Sequence, residues 1–280
     1  ATLAVRLPAN LSEFNNGLVA YYPFDGNASD MSGNDHHGTV NGTTLGTDRH
    51  GLAGKAFNFD GVDDYINIGN FPLTDFTFNS WVNIEAVNTN NLNAILSRMG
   101  TAYQGFEFSV EPDSTLKLLT GNGSGWSHLF SNDTLGVNEW ISLTATAEAN
   151  QFKIYINSIL VLSNNSSHVN STDDTLIGTR TNAANGGHFN GSIDDVRIYN
   201  RALSAVEVQA LHDLEKPDLN PVGLSQFQPL AAGNHRTYFI KADGSLWSSG
   251  SNTFGALGDG TYDSRSSPAK VDDGFVTAVA

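Results

Sequence analysis

In the run IDDVRIY, residues 193–199, two carboxylates stand side by side in a strand-like stretch. Strict alternation puts Asp194 on the same face as Val196 and Ile198, with Asp195, Arg197 and Tyr199 on the other. One of the acidic neighbours is therefore drawn toward apolar surroundings, where a carboxylate costs on the order of several kcal/mol unless it is paired or bound to a metal. Cations are scarce in this block. In FDGNASD, residues 24–30, Asp25, Asn27 and Asp30 make a compact oxygen-rich loop suited to a hard cation such as calcium. The same residues also act as turn formers, bonded to nearby backbone N–H groups. Glu107 and Glu111 in FEFSVEPD share a strand face, and a retaining glycosidase needs two carboxylates about 5–5.5 Å apart. Finally, GNGSGWSH sets Trp126 in a Gly/Ser loop after a strand, where an aromatic has little local packing reason to be. Aromatic faces stack on the C–H surface of sugar rings while flanking polar groups fix orientation. Trp126, with His128, Arg98 and Tyr103 on neighbouring segments, is thus a candidate ligand patch, and packing of Trp126 over a sheet edge is the competing role.

Other chemistry is excluded. The chain of 280 residues has no cysteine, so thiol nucleophiles, disulfides and cysteine metal sites are absent. No Gly-x-Ser-x-Gly elbow, phosphate-binding loop, Glu-flanked His pair or dinucleotide fingerprint occurs, and the EF-hand spacing is missing. With 29 acidic against 14 basic side chains and a net charge of −15, binding to nucleic acid or anionic lipid is not expected. No apolar run approaches the roughly 20 residues needed to cross a bilayer, so membrane insertion is not expected either. The opening ATLAVRLPAN has no charged n-region or long apolar h-region, so any signal peptide is expected to have been removed or never to have been part of this sequence.

The elements that must position these residues are strands. Asn, Asp, Gly, Ser and Thr favour turns over helices, and 30 Asn with 21 Asp saturate this chain. Alternating runs recur at Leu18–Phe24, Ala56–Phe59, Tyr65–Ile68, Phe76–Ile84, Phe106–Val110, Leu116–Leu119, Trp140–Ala147, Phe152–Ile156, Ile159–Leu162, Thr175–Ile177 and Ser192–Tyr199. Such spacing predicts an all-β sandwich or barrel. QFKIYINSILVLS reads as a hairpin turning at Asn157-Ser158. One helix is expected from Ser204 to about Leu214: Ser204 and Glu207 form a capping box, Leu203 and Val208 a staple, and Val206, Ala210 and Leu214 an apolar stripe. EKPDLNPVGLSQ then reads as a linker.

Several blocks resemble the LamG-like, concanavalin A-like jelly rolls: GLVAYYPFDGNASDMSGNDHHGTVNG, KAFNFDGVDDYINIG, FTFNSWVNIE, NEWISLTATAEANQFKIYINS and GSIDDVRIYNRALSAVEVQAL, in that order from 17 to 211. The resemblance implies two antiparallel sheets packed face to face. It also implies a structural calcium between the loop of the first strand and the last strand, with Asp25 and Asp194 as leading ligands. Asn27 and Asp30 are further members of the set, and the Asp60-Gly61 turn offers a carbonyl. Trp81 and Trp140 resemble the family's core aromatics. The same sandwich is used by family 16 glycoside hydrolases, whose strand motif is Glu-x-Asp-x-Glu or Glu-x-Asp-x-x-Glu; here the middle position is Ser109, so no enzyme is expected.

Residues 230–271, LAAGNHRTYFIKADGSLWSSGSNTFGALGDGTYDSRSSPAKV, resemble a single repeat of the regulator of chromosome condensation type, with a hairpin turn at Asp243-Gly244. Such a repeat implies one β-propeller blade, with Trp247 in its core, and FVTAVA as the opening of the next repeat in a longer parent chain. The expected division is a lead segment 1–16, a jelly roll 17–215, a linker 216–226 and a truncated propeller 227–280. The sequence thus predicts a secreted or cell-surface protein of bacterial type, a calcium-stabilised binding or adhesion module for glycan or surface protein. The rivals are a structural subunit of a surface appendage and an accessory module of a larger secreted enzyme.

Overall fold

The computed structural model describes residues 14–71, 73–87, 92–181, 187–217, 228–233, 236–240, 246–258 and 260–272. The Asp243-Gly244 turn, FVTAVA and most of the lead and linker segments lie outside them. The chain divides into two units, 1–217 and 218–280, each described by itself.

In chain order the first unit contains β1 (Leu18–Tyr22), β2 (Thr39–Asn41), β3 (Thr44–Thr47), β4 (Ala53–Asp60), β5 (Tyr65–Asn67), β6 (Phe76–Ile84), β7 (Asn93–Gly100) and β8 (Gln104–Val110). It continues with β9 (Thr115–Asn122), β10 (Trp126–Thr134), β11 (Trp140–Glu148), β12 (Gln151–Ile156), β13 (Ile159–Asn165), β14 (Leu176–Ile177), β15 (Asn190–Tyr199) and α1 (Ala205–Glu215). Sheet I runs β13-β12-β11-β6-β15-β4-β3, with β1 beside β15; sheet II runs β10-β9-β8-β7-β14-β5-β2. All pairings are antiparallel, and the two sheets form the jelly-roll sandwich expected from the sequence. The core lies between them. Phe76 of β6 stacks on Phe106 of β8 at 4.7 Å, and Phe78 meets Phe108 edge-on at 5.8 Å. Asn157 and Ser158 both take positive φ (48° and 66°), the geometry of a tight two-residue hairpin between β12 and β13.

Helix α1 covers the outer face of sheet I, held at its start by the complete Ser204/Glu207 capping box. Its buried residues are Val208, Leu211 and Glu215, packed with Leu203, Tyr155 and Tyr199. The expected stripe is rotated: Ala210 and Leu214 are only partly buried, and Val206 is 65% exposed. The staple residues Leu203 and Val208 are both buried in this contact. The outer face of sheet II has no helix among the described residues.

Strand β15 departs from alternation. Its register with β6 shifts between Asp194 and Arg197, and Asp195 has φ 46°. This is a β-bulge, in which one extra residue leaves two successive side chains on one side. Ile193, Val196 and Ile198 join the sandwich core, while Asp194 and Asp195 both reach Arg49 on the helix side. The expectation that Asp194 shares a face with Val196 and Ile198 is therefore corrected.

The second unit is a four-stranded antiparallel sheet in the order β16 (Gln228–Gly233), β17 (Arg236–Ile240), β18 (Leu246–Gly250), β19 (Arg265–Asp272). Its connection between β18 and β19 is tied by buried Asn252, which accepts from Leu257 N at 2.8 Å and donates to the Thr261 carbonyl at 2.9 Å. Trp247 is half-buried on β18.

Candidate ligand-binding face

Trp126 opens β10 instead of lying in a loop, and this decides where its ring points. Leu129 of the same strand is buried in the core, so the opposite set, Trp126, His128 and Phe130, stands on the outer face of sheet II. Register confirms the row: Trp126, His128 and Phe130 lie across from Gly121, Leu119 and Lys117 of β9. Phe130 is 47% exposed and stacks beside His128 with ring centres 6.2 Å apart. Tyr103, 48% exposed in the β7–β8 turn, meets the Trp126 ring edge-on at 6.0 Å. Gly121 makes that contact possible. A Cβ there would come within 2.2 Å of the Tyr103 carbonyl oxygen, which accepts from Gly123 N at 2.8 Å. The sequence had no strand over Trp126–Thr134 and so missed Phe130; the Trp-x-His-x-Phe alternation was the available signal.

Arg98 does not belong to this patch. It is fully buried, donates from Nη2 to Asn70 Oδ1 at 2.9 Å and lies 4.9 Å over the Phe71 ring. Nε and Nη1 have no hydrogen-bond partner, and burial pulls the guanidinium down to about 10 despite nearby Asp174 and Asp173. The β7 bulge between Ala94 and Leu96 shifts the strand's alternation, leaving Arg98 opposite core-facing Phe106.

Next to the row is a charged group. Lys117 Nζ lies 3.3 Å from Glu107 Oε1 and also contacts Glu111 Oε1. Arg180 Nε is 2.8 Å from the other Glu107 oxygen, a charge contact outside hydrogen-bonding angles, and Ser109 Oγ donates to Oε1 at 3.2 Å. Glu107 is fully buried. Both carboxylates of the expected strand pair thus hold one ammonium, and Ser109 stands where the glycosidase motif has Asp.

The residues expected to hold calcium are handled differently from one another. Asp25 and Asp194 do line one cleft of about 190 Å³ with Asp48 and Asp195, but Arg49 and Lys55 line it too. Arg49 donates to Asp194 Oδ2 at 2.5 Å, reaches Asp195 Oδ2 at 2.6 Å and donates to the Glu215 carbonyl at 2.6 Å. Asp25 pairs with Lys55 at 3.1 Å. The charge a metal would neutralise is met by arginine and lysine, so this donor set does not fit a divalent ion. Asp30 is a loop anchor: although burial works the other way, bonds from Tyr21 N, Ser32 N, Ser32 Oγ and His36 N hold its carboxyl below the usual range. Asn27 Oδ1 accepts from Ser29 N at 2.8 Å. Asp60 accepts from Val62 N at 2.8 Å, and Gly61 takes φ 76° against Asn190, where a Cβ would come within 2.9 Å. Neither Asn27, Asp30 nor Asp60 lines the cleft. Asp60, Asp63 and Asp64 instead form a group of carboxylates within 4.8 Å of one another; burial, with the charges of Asp60 and Asp63, pushes Asp64 up.

Arg49, missed by the sequence reading, is the centre of a buried network. Its guanidinium lies 5.1 Å over Trp81, whose Nε1 donates to Glu215 Oε2 at 3.0 Å. Arg197 contacts Glu215 and lies 3.9 Å over the Tyr21 ring, and Tyr21 OH donates to Asp195 Oδ1 at 2.6 Å. Two arginines face three carboxylates here, an excess of one negative charge. Burial, and then the charge of Asp195, push Asp194 up to about 8 against the pull of Arg49.

The model of the concanavalin A-like lectin/glucanases superfamily matches residues 60–209. No curated protein matches the sequence. Among solved structures, domain 4 of the extracellular GH43 arabinanase AbnA from Geobacillus stearothermophilus, in complex with arabinotriose, is 23% identical, with a TM-score of 0.58 over 70% of this chain and 98% of that one. The binding domain of Paraclostridial Mosquitocidal Protein 1 is 16% identical, with a TM-score of 0.60 over 85% of this chain and 64% of that one. The receptor binding domain of Botulinum neurotoxin type G is 20% identical, with a TM-score of 0.55 over 71% of this chain and 51% of that one. At these identities the likenesses carry the fold alone. The family match spans more than half of the sequence, and the chain belongs to the concanavalin A-like lectin/glucanases superfamily.

Proposed function

We propose that the chain is a non-catalytic, extracellular binding module that takes glycan on the outer face of sheet II. The observation that carries this reading is the aromatic row Trp126, His128 and Phe130, extended by Tyr103, on a hydrogen-bonded strand. Rings fixed on a strand lose little freedom on binding and offer flat apolar faces to sugar rings. The arabinotriose-bound domain of similar fold supports a sugar ligand. It also fits a place as accessory module in a larger secreted enzyme. The four-stranded sheet of the second unit supports a reading as one propeller-type blade. A calcium ion enters only as a stabiliser, at the Asp60, Asp63 and Asp64 group.

A glycan array with the wild type and Trp126→Ala tests the proposal: a specific signal lost in the variant supports it, and no signal on any glycan refutes it. A second reading, an assembly subunit, rests on β13, an edge strand of sheet I with no further strand beside it among the described residues, where Ile159 and Leu160 are 68% and 49% exposed. Concentration-dependent sedimentation to a larger species, abolished by Ile159→Lys, would favour it.

A further inference from the structure

The aromatic row does not by itself say what kind of glycan lies on it; the charges beside it do. Apart from His128, the strands of sheet II carry two basic side chains, Arg98 and Lys117. Arg98 is buried beneath Phe71, away from the row. Lys117 lies directly across from Phe130 but is itself almost fully buried, held between Glu107 and Glu111. Arg180, arriving from the segment after β14, is turned back onto the second oxygen of Glu107 at 2.8 Å. Two cations are thus matched by two carboxylates. An acidic sugar on the row gains nothing from cations already committed inward, and it approaches a chain whose net charge is −15. An uncharged sugar meets no such opposition, because the aromatic faces ask only for C–H surface.

Resting on the glycan reading, we infer that the ligand is an uncharged glycan and that Glu107 is the residue that sets this preference, by neutralising Lys117 and Arg180. Glu107 stands in the same cross-strand line as His128, with Leu119 between them. Two strand spacings of about 4.8 Å separate it from the row, so its charge acts over about 10 Å. With an effective dielectric between that of a protein surface and that of water, one unit charge at this range changes affinity for a singly charged ligand by roughly 2- to 15-fold.

The test uses the full chain and arabino-, xylo-, cello- and galacto-trisaccharides, each beside the aldonic acid made by oxidising its reducing end. Dissociation constants are measured by calorimetry at low and high salt for wild type, Glu107→Gln, Glu111→Gln and Trp126→Ala. Wild type is expected to bind a neutral trisaccharide more tightly than its acid. Glu107→Gln should shift the acid-to-neutral ratio toward the acid by roughly 2- to 15-fold at low salt, an effect that salt screens. Glu111→Gln, which also frees Lys117 and is more exposed, should shift it the same way and covers the case in which Glu107→Gln does not fold. Equal binding of acid and neutral sugar, or a ratio unmoved in both glutamine variants, overturns this inference while leaving the glycan site standing, provided Trp126→Ala loses binding. No binding of any trisaccharide by the wild type overturns both.

Discussion

Replacing Arg49 by methionine removes the one guanidinium that Asp194 and Asp195 share, and keeps most of the side-chain volume over Trp81. Both arginine contacts are buried, at 2.5 and 2.6 Å. Removing one partner of a buried ion pair leaves an uncompensated charge and costs about 3–5 kcal/mol. For a unit of about 200 residues, each kcal/mol moves Tm by roughly 2–4 °C, so a fall of roughly 6–20 °C is expected. Differential scanning calorimetry at pH 7 reads it directly. Arg49→Met combined with Asp195→Asn should recover part of the loss, since Asp194 still holds its proton at pH 7 and asparagine removes the charge left behind at 195. A fall of less than about 2 °C, or no recovery in the double variant, refutes the network as described. The same instrument addresses the metal. If calcium rather than Arg49 held these carboxylates, Arg49→Met would do little and Asp194→Asn would abolish any fall in Tm that a chelator causes; the structure predicts the reverse.

Four further outcomes are expected. Asp194 is raised in the folded state to about 8, so between the unfolded carboxylate value and that point the native state binds the extra proton. Stability therefore falls as pH rises through this window, by up to about 1.4 kcal/mol per pH unit, and Asp194→Asn should flatten the slope in urea titrations at pH 5, 6, 7 and 8. Trp126→Ala and Phe130→Ala should each weaken glycan binding roughly 5- to 150-fold, at roughly 1–3 kcal/mol per lost platform, while far-UV circular dichroism stays unchanged. Gly121→Ala should weaken the same binding by pushing the Tyr103 turn off β9, and should cost about 1–3 kcal/mol of stability in the same urea titrations. Arg98→Met should leave glycan affinity unaltered and shift Tm by only a few degrees, because a buried guanidinium with two unmet N–H groups is replaced by a side chain that asks for none.

Periodic strands were legible because a half-buried strand advertises itself every second residue: Phe76–Ile84 and Trp140–Ala147 stand where the alternation put them. Ser204 and Glu207 marked the helix start equally well, since a capping box is written in local sequence. What failed was anything set at long range. Arg49 sits in GTDRHGLAG, a turn-rich stretch with no periodicity, and its partner Asp194 is 145 residues away. No local pattern links them, and the buried carboxylate was accordingly assigned to a metal. Trp126 was recognised as an unusual aromatic, yet the Gly/Ser run before it suggested a loop. The strand signal lay downstream in Phe130, on an edge where polar residues interrupt the apolar set. Arg98 was grouped with the ligand patch because it lies on a neighbouring segment; the β7 bulge turns it inward.

The bulge at Asp194–Asp195 also sits at a joint. Along one edge, β15 pairs first with β4, through Asn190–Ile193, and then with β1, through Val196–Tyr199. The two extra-sheet carboxylates fall in the gap between these neighbours, and Arg49 fills it. Were Asp195 deleted in a chain that kept the bulge, everything after it would change phase: Val196 and Ile198 would turn outward and Arg197 and Tyr199 would enter the sandwich. Were the bulge lost as well, Val196 would stand across from Ser80, and the phase of the core and the pairing with β1 would both be kept. The last strand therefore works as a splice between β4 and β1, which do not pair with each other among the described residues, and its tolerance for a missing residue is set by whether the bulge can vanish with it.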